Sequence, residues 1–454
     1  MVPQFGVEIS TQSIIHPIAL IALVFICLYI LIADRKNLAL PFILLAIFIP
    51  SAQRIKLGSL DFTLMRIAIY FTWFRIFLKN EKYTLRFITL DKVIILWGVI
   101  ATVAFYLQHQ SLSALINRMG YMTDTALVYF AFRCLIRDRD DIDSFIRTFF
   151  ILSFPVLVFF LFEKSTSYNV FSVFGGVPAR TLMRAGRLRV QGAFSHPILA
   201  GCFWAGILPF YFNRYFLFRN ERLKMIIAIV VLLSLIVLSA SSTPVLGGAI
   251  GIFVIFVYKY RRYANNLPFL GLLLFIALDI VMKAPVWHLI ARIDISGGST
   301  GWHRYHLIDQ AIHNFGQWAL VGTPSIEAWN VWANDITNQY ILEGVRGGFF
   351  SMLTFIWIIT EALRTVLKGT EVLCAEKDLY GSHLMWALGA ALTVHAVNFI
   401  GVSYFGQIIM LQYLTIAMIG SMHQYEVMPL LAEYNKQNNN SVSMLLEKID
   451  TAYD

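Results

Sequence analysis

Long apolar stretches without a polar face constrain this chain more than any other feature. They recur at 14–33, 38–50, 60–78, 90–107, 123–135, 145–162, 197–216, 223–240, 244–258, 267–282, 347–367, 383–400 and 405–422. A helix on a soluble protein shows one polar side at a period of 3.6 residues, and these stretches show none. Most approach the roughly 20 residues that cross a hydrocarbon core once, with 38–50 the shortest. Composition agrees, since 58% of the 454 residues are hydrophobic and only 14% are charged. Soluble domains carry about 25% charged residues. A water-soluble protein, a disordered chain and a disulfide scaffold are therefore excluded. The expected fold is an all-α polytopic membrane protein with about 12–14 transmembrane helices.

The chain carries 36 basic and 27 acidic residues, a net charge of +9. In a polytopic chain this excess speaks first of topology and not of nucleic acid, because Lys and Arg gather on cytoplasmic connections. Most of the basic residues, among them Arg35, Lys36, Lys79, Arg137, Arg139, Arg214, Arg222, Arg261 and Lys377, fall on alternate connections. That alternation puts the N-terminus outside. It divides the chain into an N-terminal bundle (1–163), an external Arg-rich loop (164–196), central helices (197–282), a large external loop (283–346), C-terminal helices (347–422) and a cytoplasmic tail (423–454). Stretch 14–33 has no basic leader and no small-residue cleavage signature, so it reads as an anchor. Cys27, Cys134, Cys202 and Cys374 form neither a CxxC pair nor a disulfide framework.

The external basic residues are not evenly spread. Arg180, Arg184, Arg187 and Arg189 crowd into ten residues of the first loop. Such a cluster runs against the usual charge bias. A phosphate or pyrophosphate ligand explains it, since Arg grips those oxygens bidentately; attraction to anionic headgroups is the plainer alternative. The second loop holds Arg292, His303, Arg304, His306, His313, Glu327, Asp335 and Glu343. It also holds Trp287, Trp302, Trp318, Trp329 and Trp332, which suit a membrane interface or, less directly, a sugar platform. Residues 302–315 have helical character, which sets His303 and His306 on one face. No HExxH and no Cys partner accompany them, so no metal site is expected. Gly247 and Gly251 stand at the spacing of a close helix contact. Walker A, GxGxxG and GxSxG patterns are missing, and no internal repeat supports a transporter.

Three landmarks resemble the bacterial O-antigen ligase and polymerase superfamily. The first is Arg187 to Pro197 (RLRVQGAFSHP), running into an apolar stretch. The second is Gly301-Trp-His-Arg304 with Val321-Gly-Thr-Pro324, similar to the start of that family's large periplasmic loop. The third is Asp335 to Gly348 (DITNQYILEGVRGG), similar to the loop's end. The first half of the chain is similar only in being hydrophobic and multi-span. Ligases of the family typically carry a His-Asn pair where this chain has Thr337-Asn338, which favours a repeat-unit polymerase.

The resemblance implies a GT-C-like glycosyltransferase in the bacterial inner membrane. Its substrates would be undecaprenyl-pyrophosphate-linked glycans on the periplasmic face, and no metal, nucleotide or other cofactor is implied. Membrane lipids and a chain-length regulator are the implied partners. Arg189 and Arg304 would hold the departing pyrophosphate, with Arg180, Arg184, Arg187 and Arg292 assisting. Asp335 would be the base, with His303 and His306 as rivals. Gln191 and Asn338 would bond sugar or phosphate oxygens. His196 joins the binding set, although capping the helix that opens at Pro197 is its simpler role, and capping a following helix is likewise the simpler role for Asp335. A ligase acting on lipid A core or protein is the nearest alternative, and a flippase for the same lipid-linked glycans is the alternative of another class.

Overall fold

The computed structural model describes residues 13–81, 85–292, 301–331 and 334–434. The chain is an all-α membrane protein whose apolar stretches become helices. Five of the described helices are long and apolar enough to cross a bilayer: Thr89–His109, Arg139–Thr166, Ser242–Ala264, Gln339–Ala375 and Leu379–Gly401. Pro17–Ile32 and Phe269–Val281 are apolar but shorter. In hydrocarbon every backbone polar group must be bonded within its own segment, so apolar runs of this kind resolve into helices.

Polar contacts gather the helix ends into two sets. At one face, Arg35 pairs with Asp138 and Asp141, Arg75 with Glu81, Arg133 with Asp91, Arg139 with Asp378 and Glu426, and Arg214 with Asp143. At the other, Ser51 meets Ser195 at 2.9 Å and Gln407 Nε2 donates to the Ala193 carbonyl at 2.9 Å. On that same face Asn338 Nδ2 donates to the Ile400 carbonyl at 3.2 Å. The first set is held by ion pairs; the second combines these hydroxyl and amide contacts with the Arg54–Asp61 and Arg66–Asp124 pairs.

Small residues let the central helices approach closely. A Cβ on Gly247 would lie 2.3 Å from Asn398 Oδ1, and one on Gly251 would lie 2.5 Å from Val394 Cγ2. Both contacts join Ser242–Phe256 to Leu379–Gly401, as the Gly spacing suggests. Gly251→Ala is therefore expected to cost about 1–3 kcal/mol by overpacking. Thermal unfolding in detergent measures this, and an unchanged midpoint would refute the contact.

The helices depart from the sequence reading at particular places. The stretch expected at 60–78 begins as a strand, Leu60–Thr63, paired with Arg54–Leu57 across a Gly58 turn, and its helix is Leu64–Leu78. Alternation of Leu60, Asp61, Phe62 and Thr63 is a two-residue period that a running hydropathy window averages away. Helical backbone begins at Leu112 and reaches Leu135 through a π turn at Thr123–Leu127, well before the apolar stretch at 123. The final helix of the large loop begins at Gln339, and Gly348 (φ 77°) kinks it. A Cβ there would sit 2.2 Å from the Leu320 carbonyl oxygen, so only glycine fits. The short stretch 38–50 gives a ten-residue helix, Ala39–Phe48, nearly all of it buried.

The large loop is folded in its own right. Gly301–His313 and Phe315–Trp318 are helices. Leu307, Trp318, Trp329, Ile336, Leu342 and Val345 form a separate apolar core beneath them. Trp318 and Trp329 thus build that core instead of a membrane belt or an open sugar platform, whereas Trp302 stays exposed. Trp332 and most of the tail, including 437–440, lie outside the described residues.

Candidate functional site

The arginine cluster of the first loop is a β-hairpin. Leu182–Arg184 pairs with Arg187–Arg189, and Arg184 stands opposite Arg187. Ala185 (φ 48°) and Gly186 (φ 72°) form the two-residue left-handed turn that suits a twisted hairpin. Residues opposite each other, and residues two apart along a strand, share a face. Arg184, Arg187 and Arg189 therefore project from the same side. Like charges opposite one another are unfavourable in themselves. Arg180 lies beyond the strand, in an isolated bridge with Tyr168.

The base of the hairpin is anchored by Glu163 at the end of the Arg139–Thr166 helix. Its carboxylate accepts the backbone N–H groups of Gln191 and Gly192 at 3.1 and 2.9 Å. Gln191 is fully buried, and its amide nitrogen donates to the Phe194 carbonyl at 2.8 Å. Its Oε1 is buried with no partner among the described residues. Asn338 is also engaged: it caps the Gln339 helix by accepting from Ile341 N at 3.1 Å and tethers Ile400. The cap is thus Asn338, and Asp335 is relieved of that role.

Arg189 and Arg304 converge on one structural feature. Arg189 Nη2 donates to Ser241 Oγ at 2.6 Å. Arg304, on the Gly301–His313 helix, donates through Nη2 to Thr243 Oγ1 at 3.0 Å and through Nε to the Gly401 carbonyl at 3.1 Å. Ser241 is the N-cap position of the Ser242–Phe256 helix. Two guanidinium groups therefore flank one helix N-terminus, whose own dipole end is positive. A Cβ on Gly401 would lie 2.8 Å from Thr243 Oγ1 and 3.2 Å from Arg304 Nε, so glycine is needed for this approach.

No carboxylate among the described residues answers these charges. Arg189 is 8% exposed, and its Nε is buried without an acceptor. Its pKa is pushed down to about 10, first by burial and then by the positive fields of Arg184 and Arg304. Arg304 is likewise lowered, by burial and by Arg184. An arginine stays cationic at neutral pH, so the fold holds two positive charges together, one buried and one half-buried, at a cost. His196 sits beside them. Its Nδ1 caps the Pro197–Leu217 helix by accepting from Ile198 N at 3.2 Å. Burial, with Arg189 and Arg184, drops its pKa to about 4, so it is neutral.

Asp335, His303 and His306 form a second group joined to the first through Arg304. The His303 ring faces both the carboxyl and the backbone of Asp335. Surrounding protein lifts the Asp335 carboxyl above its ordinary range even though the residue keeps solvent contact, and His303 opposes that rise. Burial lowers His303, so its ring is neutral and able to accept a proton. Arg292 ends the short helix Val286–Arg292, and its side chain lies outside the described residues. Among the described residues, no three His, Cys, Asp or Glu side chains gather as metal ligands.

The sequence reading missed Ser241, Thr243 and Gly401. The available signal is the hydroxyl run Ser239-Ala-Ser-Ser-Thr-Pro244 between two apolar stretches, since hydroxyls before a Pro mark a helix start. Two cavities, about 600 and 300 Å³, are lined by neither Arg189 nor Arg304; the smaller reaches Ser195, next to His196. No protein-family model matches this chain, and comparison with curated proteins found no match.

Proposed function

We propose that the chain polymerises undecaprenyl-pyrophosphate-linked repeat units into O-antigen or exopolysaccharide at the periplasmic face of the bacterial inner membrane. One observation carries the reading: buried Arg189 and half-buried Arg304 meet at Ser241 and Thr243, with no carboxylate among the described residues to neutralise them. A diphosphate is the ligand such a pair fits, because each guanidinium offers a planar fork to phosphate oxygens. In this reading the chain has 12–14 spans in a GT-C-like arrangement, five of them long enough to cross a bilayer among the described residues, with the arginines outside by the charge rule.

In the proposed reaction an acceptor hydroxyl oxygen bonds to the anomeric carbon of the donor. The carbon–oxygen bond to pyrophosphate breaks, and its electron pair leaves with the pyrophosphate. Arg189 and Arg304 stabilise that growing charge in a site of low dielectric. The hydroxyl proton passes to Asp335, and holding both sugars in register removes much of the barrier. Thr337, where ligases of the resembling family carry His, is the reason polymerase is preferred to ligase. Deleting the gene tests this: single repeat units left attached to their acceptor support polymerase, and unattached long polymer would support ligase instead.

A pH dependence follows. A base works only when deprotonated, and Asp335 holds its proton to a higher pH than the ordinary aspartate value of about 3.9. The rate is expected to fall as pH drops through that raised value, and Asp335→Asn is expected to remove this limb along with most activity. A full-rate Asp335→Asn enzyme with the same acid limb would exclude Asp335 as the base.

A further inference from the structure

The roughly 600 Å³ cavity lies away from the arginine pair, between the Arg54–Leu57 hairpin and the Leu112–Met122 helix. Four basic residues line it, Lys56, Arg66, Arg118 and Arg346, against the single acid Asp61. Asp61 is already paired with Arg54 at 2.9 Å, and Arg66 is matched by Asp124 at 2.6 Å. Arg118 and Arg346 are different. Arg118 is 2% exposed and is matched in charge by buried Glu343, but at 3.8 Å the pair is too long for a hydrogen bond. Its Nε and Nη2 are buried without acceptors, and so is Arg346 Nε. Glu343 Oε1 is taken by Tyr121 and Gln339, at 2.8 and 3.0 Å, while Oε2, the oxygen facing Arg118, is buried with no hydrogen bond of its own among the described residues. The Tyr121 ring holds the Arg118 guanidinium at 4.8 Å, so the donors are fixed in place.

Unsatisfied guanidinium donors in a cavity of this size ask for a multidentate anion. The cavity also borders a second one. It shares Asp61 and Arg66 with the roughly 300 Å³ cavity, which reaches Ser195 beside His196. His196 in turn lies in the field of Arg189. A glycan laid along both cavities would extend to Ser195, beside His196, while its anionic end stayed near Arg118 and Arg346.

We propose that this cavity binds the phosphate groups of a second lipid-linked glycan, the acceptor, while Arg189 and Arg304 bind those of the donor. The proposal rests on the polymerase reading, which requires two such substrates. Inorganic pyrophosphate, phospholipid headgroups and prenyl pyrophosphates share the relevant chemistry, and the test separates them.

The test uses the full chain in phosphatidylcholine nanodiscs, titrated calorimetrically with farnesyl pyrophosphate and with inorganic pyrophosphate. The wild type is expected to bind two equivalents of farnesyl pyrophosphate. The Arg189→Ala/Arg304→Ala variant is expected to retain one, and adding Arg346→Gln should weaken that one by about tenfold or more. Lys56→Ala, on the hairpin and outside the bundle core, should weaken it too. No binding by the Arg189→Ala/Arg304→Ala variant, or indifference to both Arg346→Gln and Lys56→Ala, would overturn the second site. Equal affinity for inorganic pyrophosphate would overturn the lipid-linked assignment, and full competition by phosphatidylglycerol would reassign the cavity to headgroups. The donor reading fails separately, through polymer that persists in Arg189→Ala and Arg304→Ala cells.

Discussion

Arg304→Ala or Arg189→Ala is expected to lower polymer formation by about two to three orders of magnitude, the loss typical of removing one preorganised donor to a developing oxyanion. Membrane levels of the protein should not fall. Neither guanidinium is neutralised by a carboxylate among the described residues, so truncation strands no buried counter-charge. It frees only Ser241 Oγ, or Thr243 Oγ1 with the Gly401 carbonyl. Residues kept for ligand binding behave this way, while residues kept for stability do not. Arg→Lys at either position should also impair chain growth, because an ammonium cannot reproduce two parallel donors. Chain-length distributions on gels, read beside immunoblots of membranes, check both statements. Wild-type chains from either Ala variant would end the assignment.

Asp91→Ala is expected to have the opposite profile, a loss of stability on the order of 3–5 kcal/mol. Asp91 and Arg133 are both fully buried. Asp91 accepts from Arg133 Nε and Nη2 at 3.2 Å each, from the Tyr129 hydroxyl at 2.6 Å and from Ile88 N at 2.8 Å. Removing the carboxylate leaves an uncompensated guanidinium, and the Arg133 bonds to Gln424 and the Arg86 carbonyl do not neutralise it. It also strips the Thr89–His109 helix of its capping acid. Low membrane levels and a much reduced unfolding temperature in detergent are the readouts. A variant as stable as wild type would show that this ion pair does not hold the helices together.

The contrast between the two arginine classes explains what the sequence could and could not reveal. Runs such as 383–400 and 405–422 were legible as helices because they are apolar all round, and the membrane leaves them no other structure. His196 before Pro197 was legible as a cap because the two residue types form a local signal. Local signals also marked 302–315 as helical and Gly247 with Gly251 as a contact. Arg189 and Arg304 could be picked out by position, but their meeting at Ser241 and Thr243 is a tertiary fact that no spacing encodes. Trp318 and Trp329 misled for a related reason. Tryptophan in a loop beside a membrane reads as interface until the loop is seen to have its own core. The Leu60–Thr63 strand and the Gly348 kink were hidden because hydropathy does not report φ and ψ.

The most direct test of the account is a structure of the protein in nanodiscs with undecaprenyl pyrophosphate bound. The diphosphate is expected to lie about 3 Å from guanidinium nitrogens of both Arg189 and Arg304, at the entrance of the Ser242–Phe256 helix and on the side away from the Arg133–Asp91 pair. A diphosphate bound elsewhere with both arginines unoccupied, or one reached from the Arg133–Asp91 side, would contradict it.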